Sequence, residues 1–146
     1  MLRWDATLEL GHRALDKQHR KLARLINQVH RVQLSGPQDA VLAALGALAY
    51  ATARHFEFEE QLMAETNYTK TEAHTENHSE ILTQLTRFAA RLLARPEARD
   101  GEKTLAFLKA WLASHIKSFD RDFVAYLATT ASSGGSGSAF RGALPA

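Results

Sequence analysis

The sequence predicts an all-α protein, an up-down-up-down antiparallel four-helix bundle with an N-terminal arm and a flexible C-terminal tail. Glycine and proline are sparse between residues 13 and 128, and turn-forming residues mark three breaks that leave four helical segments. Within each segment apolar residues recur at steps of three and four, the period of a helix with one buried face. Because the connections are short, consecutive helices are expected to run antiparallel.

Local signals place the breaks and the helices between them. Ser35-Gly36-Pro37 ends the first segment, and Pro37 suits the first position of the next helix. In the second break, Thr69 and Glu72 have the spacing of a capping box. The third break covers residues 95–101, which contain Pro and Gly. The predicted helices are residues 15–34, 38–65, 70–94 and 101–128.

The two ends of the chain differ from the predicted bundle. Residues 1–14 are expected to form a non-helical arm that lies across the helices. Residues 129–146 contain a Gly/Ser-rich run that is typical of a flexible linker. We therefore divide the chain into a domain, residues 1–128, and a tail, residues 129–146. The tail is interpreted as disordered, and the alternative is a tethered peptide that docks on another protein through its short apolar end.

Composition and charge exclude several classes of protein. The formal net charge is +2 and the basic residues are scattered among acids, so neither nucleic-acid nor membrane binding is predicted. The chain has no cysteine, which excludes disulfides, thiolate metal sites and Fe–S clusters. The first residues lack the apolar segment of a secretory signal, and no apolar run approaches the ~20 residues that cross a bilayer. We expect a cytoplasmic location.

The helix faces that are predicted to be buried also carry histidine on all four helices and carboxylates on two. Burying these polar groups without partners would cost several kcal/mol in total, because each gives up its hydration. Metal coordination avoids that cost, and imidazole and carboxylate bind iron, manganese and zinc alike. The candidate metal ligands are His19, His55, Glu59, His74, His78, His115 and Asp120.

The spacing of these donors predicts where their side chains point. His55 and Glu59 are four residues apart, as are the two histidines of the third helix, so each pair projects from one helix face. Asp120 follows His115 by five residues, which places it about 140° away on an ideal helix. Asp120 must therefore reach in from the edge of the face, or the helix must be distorted locally, for example by a π-bulge. With a shared oxide or hydroxide, the five imidazoles and two bridging carboxylates leave one open position on two six-coordinate metals.

The complete donor set resembles the signature of the hemerythrin family, particularly its single-domain bacterial members. The resemblance spans about residues 4–127. It rests on His19, His55-x-x-x-Glu59, His74-x-x-x-His78 and His115-x-x-x-x-Asp120, with the flanking Leu15-Asp16-Lys17-Gln18 and Trp111-Leu112. It implies a non-haem di-iron centre that binds dioxygen reversibly, for storage, delivery or sensing.

The resemblance also implies a role for each residue of the site. One iron is expected to bind His74, His78 and His115, and the other His19 and His55. Glu59 and Asp120 are expected to bridge the irons beside an oxo or hydroxo group, with dioxygen bound end-on at the two-histidine iron. The residues that match the apolar wall of the oxygen pocket, and that ordinary core packing would also explain, are Trp4, Leu22, Phe56, Trp111, Leu112 and Ile116.

Two other functional classes stay open from the sequence. The first is a di-iron oxidase, peroxidase or nitric-oxide-handling enzyme, and the second is a sensor or docking module that uses the tail. Carriage of oxygen is preferred over catalysis because the ligands are rich in nitrogen and the Glu-x-x-His pairs of ferritin-like enzymes are absent. His12 and His30 are expected outside the metal ligands, and Glu60, Glu65 and Glu80 are expected to be solvated.

Overall fold

The bundle consists of four long helical segments. In the computed structural model, which describes residues 1–134 and the side chains of residues 1–131, no strand is present. The fourth segment is continuous but contains a π-helical turn, so it is described as α4, the turn and α5. The helices are α1 (Arg13–Ser35), α2 (Gln38–Glu65), α3 (Thr71–Ala94), α4 (Gly101–His115) and α5 (Arg121–Gly134), with the π turn at Ile116–Asp120. The predicted all-α four-helix bundle is confirmed.

The apolar core is split into two clusters. The larger one includes Leu22 and Ile116 and fills the half of the bundle towards the α3–α4 connection. The smaller one includes Leu15 and Phe123 and fills the half towards the α2–α3 connection. Along α1, the side chain between the two clusters is His19, and in the fourth segment it is Asp120. The predicted metal ligands therefore occupy a polar layer that crosses the core.

Two helix starts and one cap differ from the prediction, whereas α2 begins at Gln38 as predicted. α1 begins at Arg13, two residues early, because the ring of His12 caps it by accepting from the backbone N–H of Leu15 at 3.3 Å. Pro37 is the N-cap of α2, one residue before the predicted position. The predicted capping box in the second break is wrong: α3 begins at Thr71, and its N-cap residue makes no side-chain hydrogen bond.

The geometry of the α2–α3 turn explains the late start of α3. Asn67 adopts a left-handed φ of 53°, which asparagine tolerates better than most residues. The chain then makes a further turn, in which the Thr71 hydroxyl donates to the carbonyl of Tyr68 at 2.6 Å. Residue 69 consequently lies in this turn, before the helix, where it cannot act as the cap.

The N-terminal arm lies across the bundle as predicted, although it contains a short 3-10 turn at Ala6–Leu8. Asn27 on α1 pairs with the backbone of Leu2, accepting from its N–H at 2.7 Å and donating to its carbonyl at 2.8 Å. The buried carboxylate of Asp16 accepts from the N–H groups of Leu10 and Gly11 at 2.8 and 3.0 Å. These bonds hold the arm beside the polar layer.

The fourth segment runs six residues further than predicted, to Gly134. The division between a domain ending at residue 128 and a tail therefore stays a prediction, and residues 135–146 of that tail lie outside the described residues. Within the described part of the chain, none of the helices combines the length and the apolar character that a membrane span requires.

Removing a core side chain tests the packing of the larger cluster. Leu108 on α4 is fully buried there, so Leu108→Ala is expected to lower the free energy of unfolding by about 2–5 kcal/mol through lost contacts and a residual cavity. The matched control is Leu93→Ala on α3, since Leu93 is 65% exposed and its loss should change stability by less than about 0.5 kcal/mol. Urea unfolding at equal metal loading measures both, and equal effects would contradict the assigned core.

Candidate metal centre

All seven predicted metal ligands meet in the polar layer, and all are buried. Their donor atoms form two groups, and within each group every donor atom lies within 4.8 Å of the others. The first group is Glu59, His74, His78, His115 and Asp120, and the second is His19, His55, Glu59 and Asp120. The two carboxylates belong to both groups. This is the arrangement that two neighbouring metals with two bridging carboxylates require.

Asp120 faces both groups with different oxygen atoms. Its Oδ1 lies 2.9 Å from Nε2 of His74 and 2.9 Å from Nε2 of His115. Its Oδ2 lies 2.7 Å from Nε2 of His19. One carboxylate can therefore bind one metal through each oxygen.

The π turn at Ile116–Asp120 accounts for the five-residue spacing between His115 and Asp120. In a π-helix the backbone hydrogen bonds join residues five apart, so those residues lie above one another on the same face. The sequence predicted that Asp120 reaches the site either from the edge of the helix face or through a local distortion of the helix. The structure shows the local distortion.

Glu59 also faces both groups, but it does so with a single oxygen atom, Oε2. Its Oε2 is 3.0 Å from Nε2 of His78, 3.5 Å from that of His74 and 3.6 Å from that of His55. Its Oε1 is buried and has no hydrogen-bond partner. A buried carboxylate oxygen without a partner carries a cost of about 1–3 kcal/mol or more, and a cation removes it.

The contacts between the donors fit a metal better than hydrogen bonding. Nε2 of His115 and Oδ2 of Asp120 both have close neighbours of opposite type, at 2.9 and 2.7 Å, yet neither atom is aligned for a hydrogen bond. The misalignment outweighs the short distances, since hydrogen bonds weaken steeply as the angle falls. The donor atoms point to shared positions between them. Imidazole nitrogen and carboxylate oxygen can bind iron, manganese or zinc at such positions.

The charges in the layer favour a cation as well. Burial lowers the pKa of His19, which keeps its imidazole neutral as a metal ligand must be. Burial also acts to lower the pKa of His115, but the negative charges of the neighbouring Asp120 and Glu59 carboxylates raise it to about 10. Burial acts to raise the pKa of Asp120, but the neighbouring histidines hold it well below its usual range. Both results express one property: the buried carboxylates attract positive charge.

Two of the ligand histidines are oriented by amide side chains from neighbouring helices. Nδ1 of His55 lies 2.6 Å from Oε1 of Gln18, and Nδ1 of His115 lies 2.6 Å from Oδ1 of Asn77. Because an amide oxygen only accepts, each Nδ1 carries the proton and donates it. The Nε2 lone pair is thereby left to face the site, which is how metal-binding histidines are usually supported.

Glu60 supports a third histidine, so the prediction that Glu60 is solvated was wrong. Its side chain is 38% exposed, but its Oε1 accepts from Nδ1 of His78 at 2.8 Å. Glu65 and Glu80 are exposed as predicted. His12 caps α1 and His30 pairs with Glu102 at 2.8 Å, so both lie outside the donor groups as predicted.

A positional signal exists for the three supporting residues that the sequence analysis missed. Gln18 and Asn77 each precede a metal ligand by one position, and Glu60 follows one. A neighbour in sequence lies about 100° round the helix, so it faces an adjacent helix at the level of the metal layer. At that level its side chain can reach Nδ1 of a ligand histidine on the adjacent helix.

Of the six residues predicted for the oxygen pocket, five belong to the larger apolar cluster and Trp4 packs against it. The ring of Trp4, a partly buried residue of the N-terminal arm, lies 6.5 Å from that of His19 and donates from Nε1 to Glu9 at 2.6 Å. Phe56 stacks on His78 with the ring centres 3.7 Å apart, which places it on the side of the three-histidine group. The remaining four lie in the larger apolar cluster next to the polar layer: Leu22, Trp111, Leu112 and Ile116.

Three further aromatic rings, which the sequence analysis did not assign to the site, lie against the three-histidine group. From the ring of His74, the ring of Phe119 in the π turn lies 5.5 Å away, that of Phe123 6.0 Å and that of Tyr68 6.4 Å. Together with Phe56 they surround that group with apolar surface. The two-histidine group has Trp4 and the N-terminal arm beside it instead.

Comparisons with known proteins agree with this architecture. The family model for the hemerythrin HHE cation binding domain matches residues 10–127. A bacteriohemerythrin of Stenotrophomonas maltophilia is 30% identical over 123 residues, 84% of this chain and 79% of the relative. A myohemerythrin of Riftia pachyptila is 32% identical over 117 residues, 80% of this chain and 86% of the relative.

A crystal structure of wild-type hemerythrin superposes with a TM-score of 0.79 at 24% identity, covering 87% of this chain and 98% of that one. This likeness shows the shared fold. The family model and the curated relatives each cover most of the chain. Family and fold are consistent with dioxygen binding at a non-haem di-iron site, and the chain belongs to the hemerythrin family.

Proposed function

We propose that this chain binds dioxygen reversibly at a centre of two iron ions, for oxygen storage, delivery or sensing. The observation that carries the proposal is the pair of buried donor groups that share Glu59 and Asp120. When bound, the pair of ferrous ions supplies the two electrons that dioxygen takes up reversibly. The protein side chains hold, orient and shield that centre.

The two donor groups support an assignment of the ligands. His74, His78 and His115 would hold one iron, and His19 and His55 would hold the other. The group with two histidines offers one protein ligand fewer, which supports binding of a small ligand on that side. The distances from the two oxygens of Asp120 to opposite groups support a bridging role.

The surrounding side chains favour binding over further chemistry. Apolar clusters lie on both sides of the layer, so they exclude water from it and slow the entry of protons from solvent. Within the two donor groups every titratable side chain is a proposed iron ligand. The carboxylate of Glu60 beside them contacts Nδ1 of His78, on the side of the ring that faces away from the donor groups. Hemerythrins are oxygen-binding proteins rather than enzymes, and the oxidase, peroxidase or nitric-oxide alternative is not favoured.

The wider setting of the protein is also proposed. Dioxygen is the proposed ligand, and we expect neither nucleic acid nor membrane as a partner. The cytoplasmic location and the docking role of the tail stay predictions. Storage, delivery and sensing of oxygen would all use the same di-iron site.

Reversible binding is expected to be visible in the optical spectrum of the iron-loaded protein. The anaerobically reduced protein should be nearly colourless, gain a visible charge-transfer band in air and lose it on purging. His55→Ala should abolish the band because it removes one of only two histidines in its donor group. His30→Ala is the matched control, since His30 bonds only the exposed Glu102, and it should keep the band. Permanent oxidation of the parent protein on first contact with air would instead indicate oxidase or peroxidase chemistry.

Removal of an orienting hydrogen bond is expected to weaken iron binding without removing a ligand. Gln18→Ala deletes the acceptor for Nδ1 of His55, and loss of such a partner typically lowers metal affinity by about 10–100-fold. Gln28→Ala is the control, because Gln28 is exposed on the same helix and bonds only Arg31. Competition with a chelator under anaerobic conditions compares their iron affinities. Equal affinity of the two variants would rule out the supporting role of Gln18.

A further inference from the structure

A groove between α3 and α4 takes no part in the proposed oxygen site. The pairs α1–α2, α2–α3 and α1–α4 lie closely side by side, whereas the backbones of α3 and α4 lie further apart and are joined by side-chain contacts. The gap contains a cavity of about 450 Å³ near the α3–α4 connection, and none of the proposed iron ligands lines it. Its volume falls within the range of small-molecule sites, roughly 300–1,000 Å³.

The floor of the groove is apolar and partly aromatic. Phe88 and Leu92 come from one face of α3, and Phe107 comes from the facing side of α4. The rings of Phe88 and Phe107 lie nearly parallel, with centres 6.0 Å apart and planes inclined by 29°. Both rings are only half-buried, so an apolar ligand would cover surface that is now in contact with water.

The rim of the groove carries an excess of positive charge. Arg87, Arg91 and Lys103 line it, against a single carboxylate, Asp100. That carboxylate is engaged by its own helix: it caps α4 by accepting from the N–H of Lys103 at 3.0 Å, and it lies 3.5 Å from Lys103 Nζ. Among the side chains of residues 1–131, no carboxylate lies within 4.0 Å of Arg87 or Arg91. Two exposed guanidinium groups, one helical turn apart, thus stand unpaired over an aromatic floor.

We propose that this groove binds an amphipathic organic anion, namely a carboxylate with an aromatic or medium-length aliphatic body. The carboxylate pairs with Arg87 and Arg91, whose planar guanidinium groups suit two-point binding of that group. The apolar body lies on Phe88, Leu92 and Phe107. The proposal is independent of oxygen binding, because it uses no residue of the metal centre.

The dimensions favour a small molecule over a peptide. On α3 the groove extends from Gln84 to Leu92, which is about 12 Å along the helix axis. A helix that docked here would itself be about 10 Å wide and would need a longer open face to bury an apolar stripe. An eight-carbon carboxylate fits within this length.

Calorimetric titration of the full-length, iron-loaded chain with octanoate tests the proposal, with 1-octanol as the uncharged comparison. Octanoate should bind, and 1-octanol should bind at least about tenfold more weakly. Arg87→Glu/Arg91→Glu should weaken octanoate binding by a similar factor or more. The matched control is Arg13→Glu/Lys17→Glu, which makes the same change of charge at two exposed positions, also four apart, on α1. It should leave octanoate binding unchanged.

A second variant fills the groove without removing its charges. Ala98 is exposed and lines the cavity, so Ala98→Trp should abolish octanoate binding while both arginines remain. This variant also keeps the test valid if the charge reversal impairs folding. The proposal is overturned if the parent chain gives no heat of binding, if 1-octanol binds as tightly as octanoate, or if a folded groove variant retains the parent affinity.

Discussion

The burial of seven ionisable side chains in one layer across the core is the constraint on which the rest of this structure depends. Each would cost several kcal/mol if it were left alone in an apolar interior. They are tolerated because they converge in two groups that share Glu59 and Asp120, and because apolar clusters close the layer from both sides. Every helix must therefore present its donors at the same level. The π turn is the local cost of bringing Asp120 to that level after His115.

The two donor groups are unequal, and that inequality underlies the proposed function. The group with three histidines is enclosed by Phe56, Phe119 and Tyr68, and outer hydrogen bonds orient its His78 and His115. The group with two histidines lies beside Trp4 and the N-terminal arm. A vacancy for one small ligand is expected on the less saturated side. The arm is held there by the paired amide of Asn27 and by the carboxylate of Asp16.

Periodicity and spacing predicted the bundle, and they predicted that all seven donors face its interior, because a helix face follows directly from steps of three and four. Details that depend on contacts between helices were harder to predict. The role of Glu60 cannot be predicted from the sequence of α2, because nothing within that helix shows that Nδ1 of His78 lies 2.8 Å away on α3. The start of α3 was misplaced because the left-handed Asn67 extends the turn, which composition alone does not reveal. The side on which Phe56 lies depends on its stacking with His78, a tertiary contact.

The claim that Glu59 and Asp120 join two metals can be tested most directly by diffraction from crystals of the iron-loaded protein at the iron absorption edge. The proposed centre predicts two anomalous peaks per chain, roughly 3.5–4 Å apart as in other two-metal sites. Oδ1 of Asp120 should ligate the peak next to His74 and His115, and Oδ2 the peak next to His19. A single peak, or a position of Asp120 in which both oxygens bind the same metal, would contradict the shared-carboxylate centre.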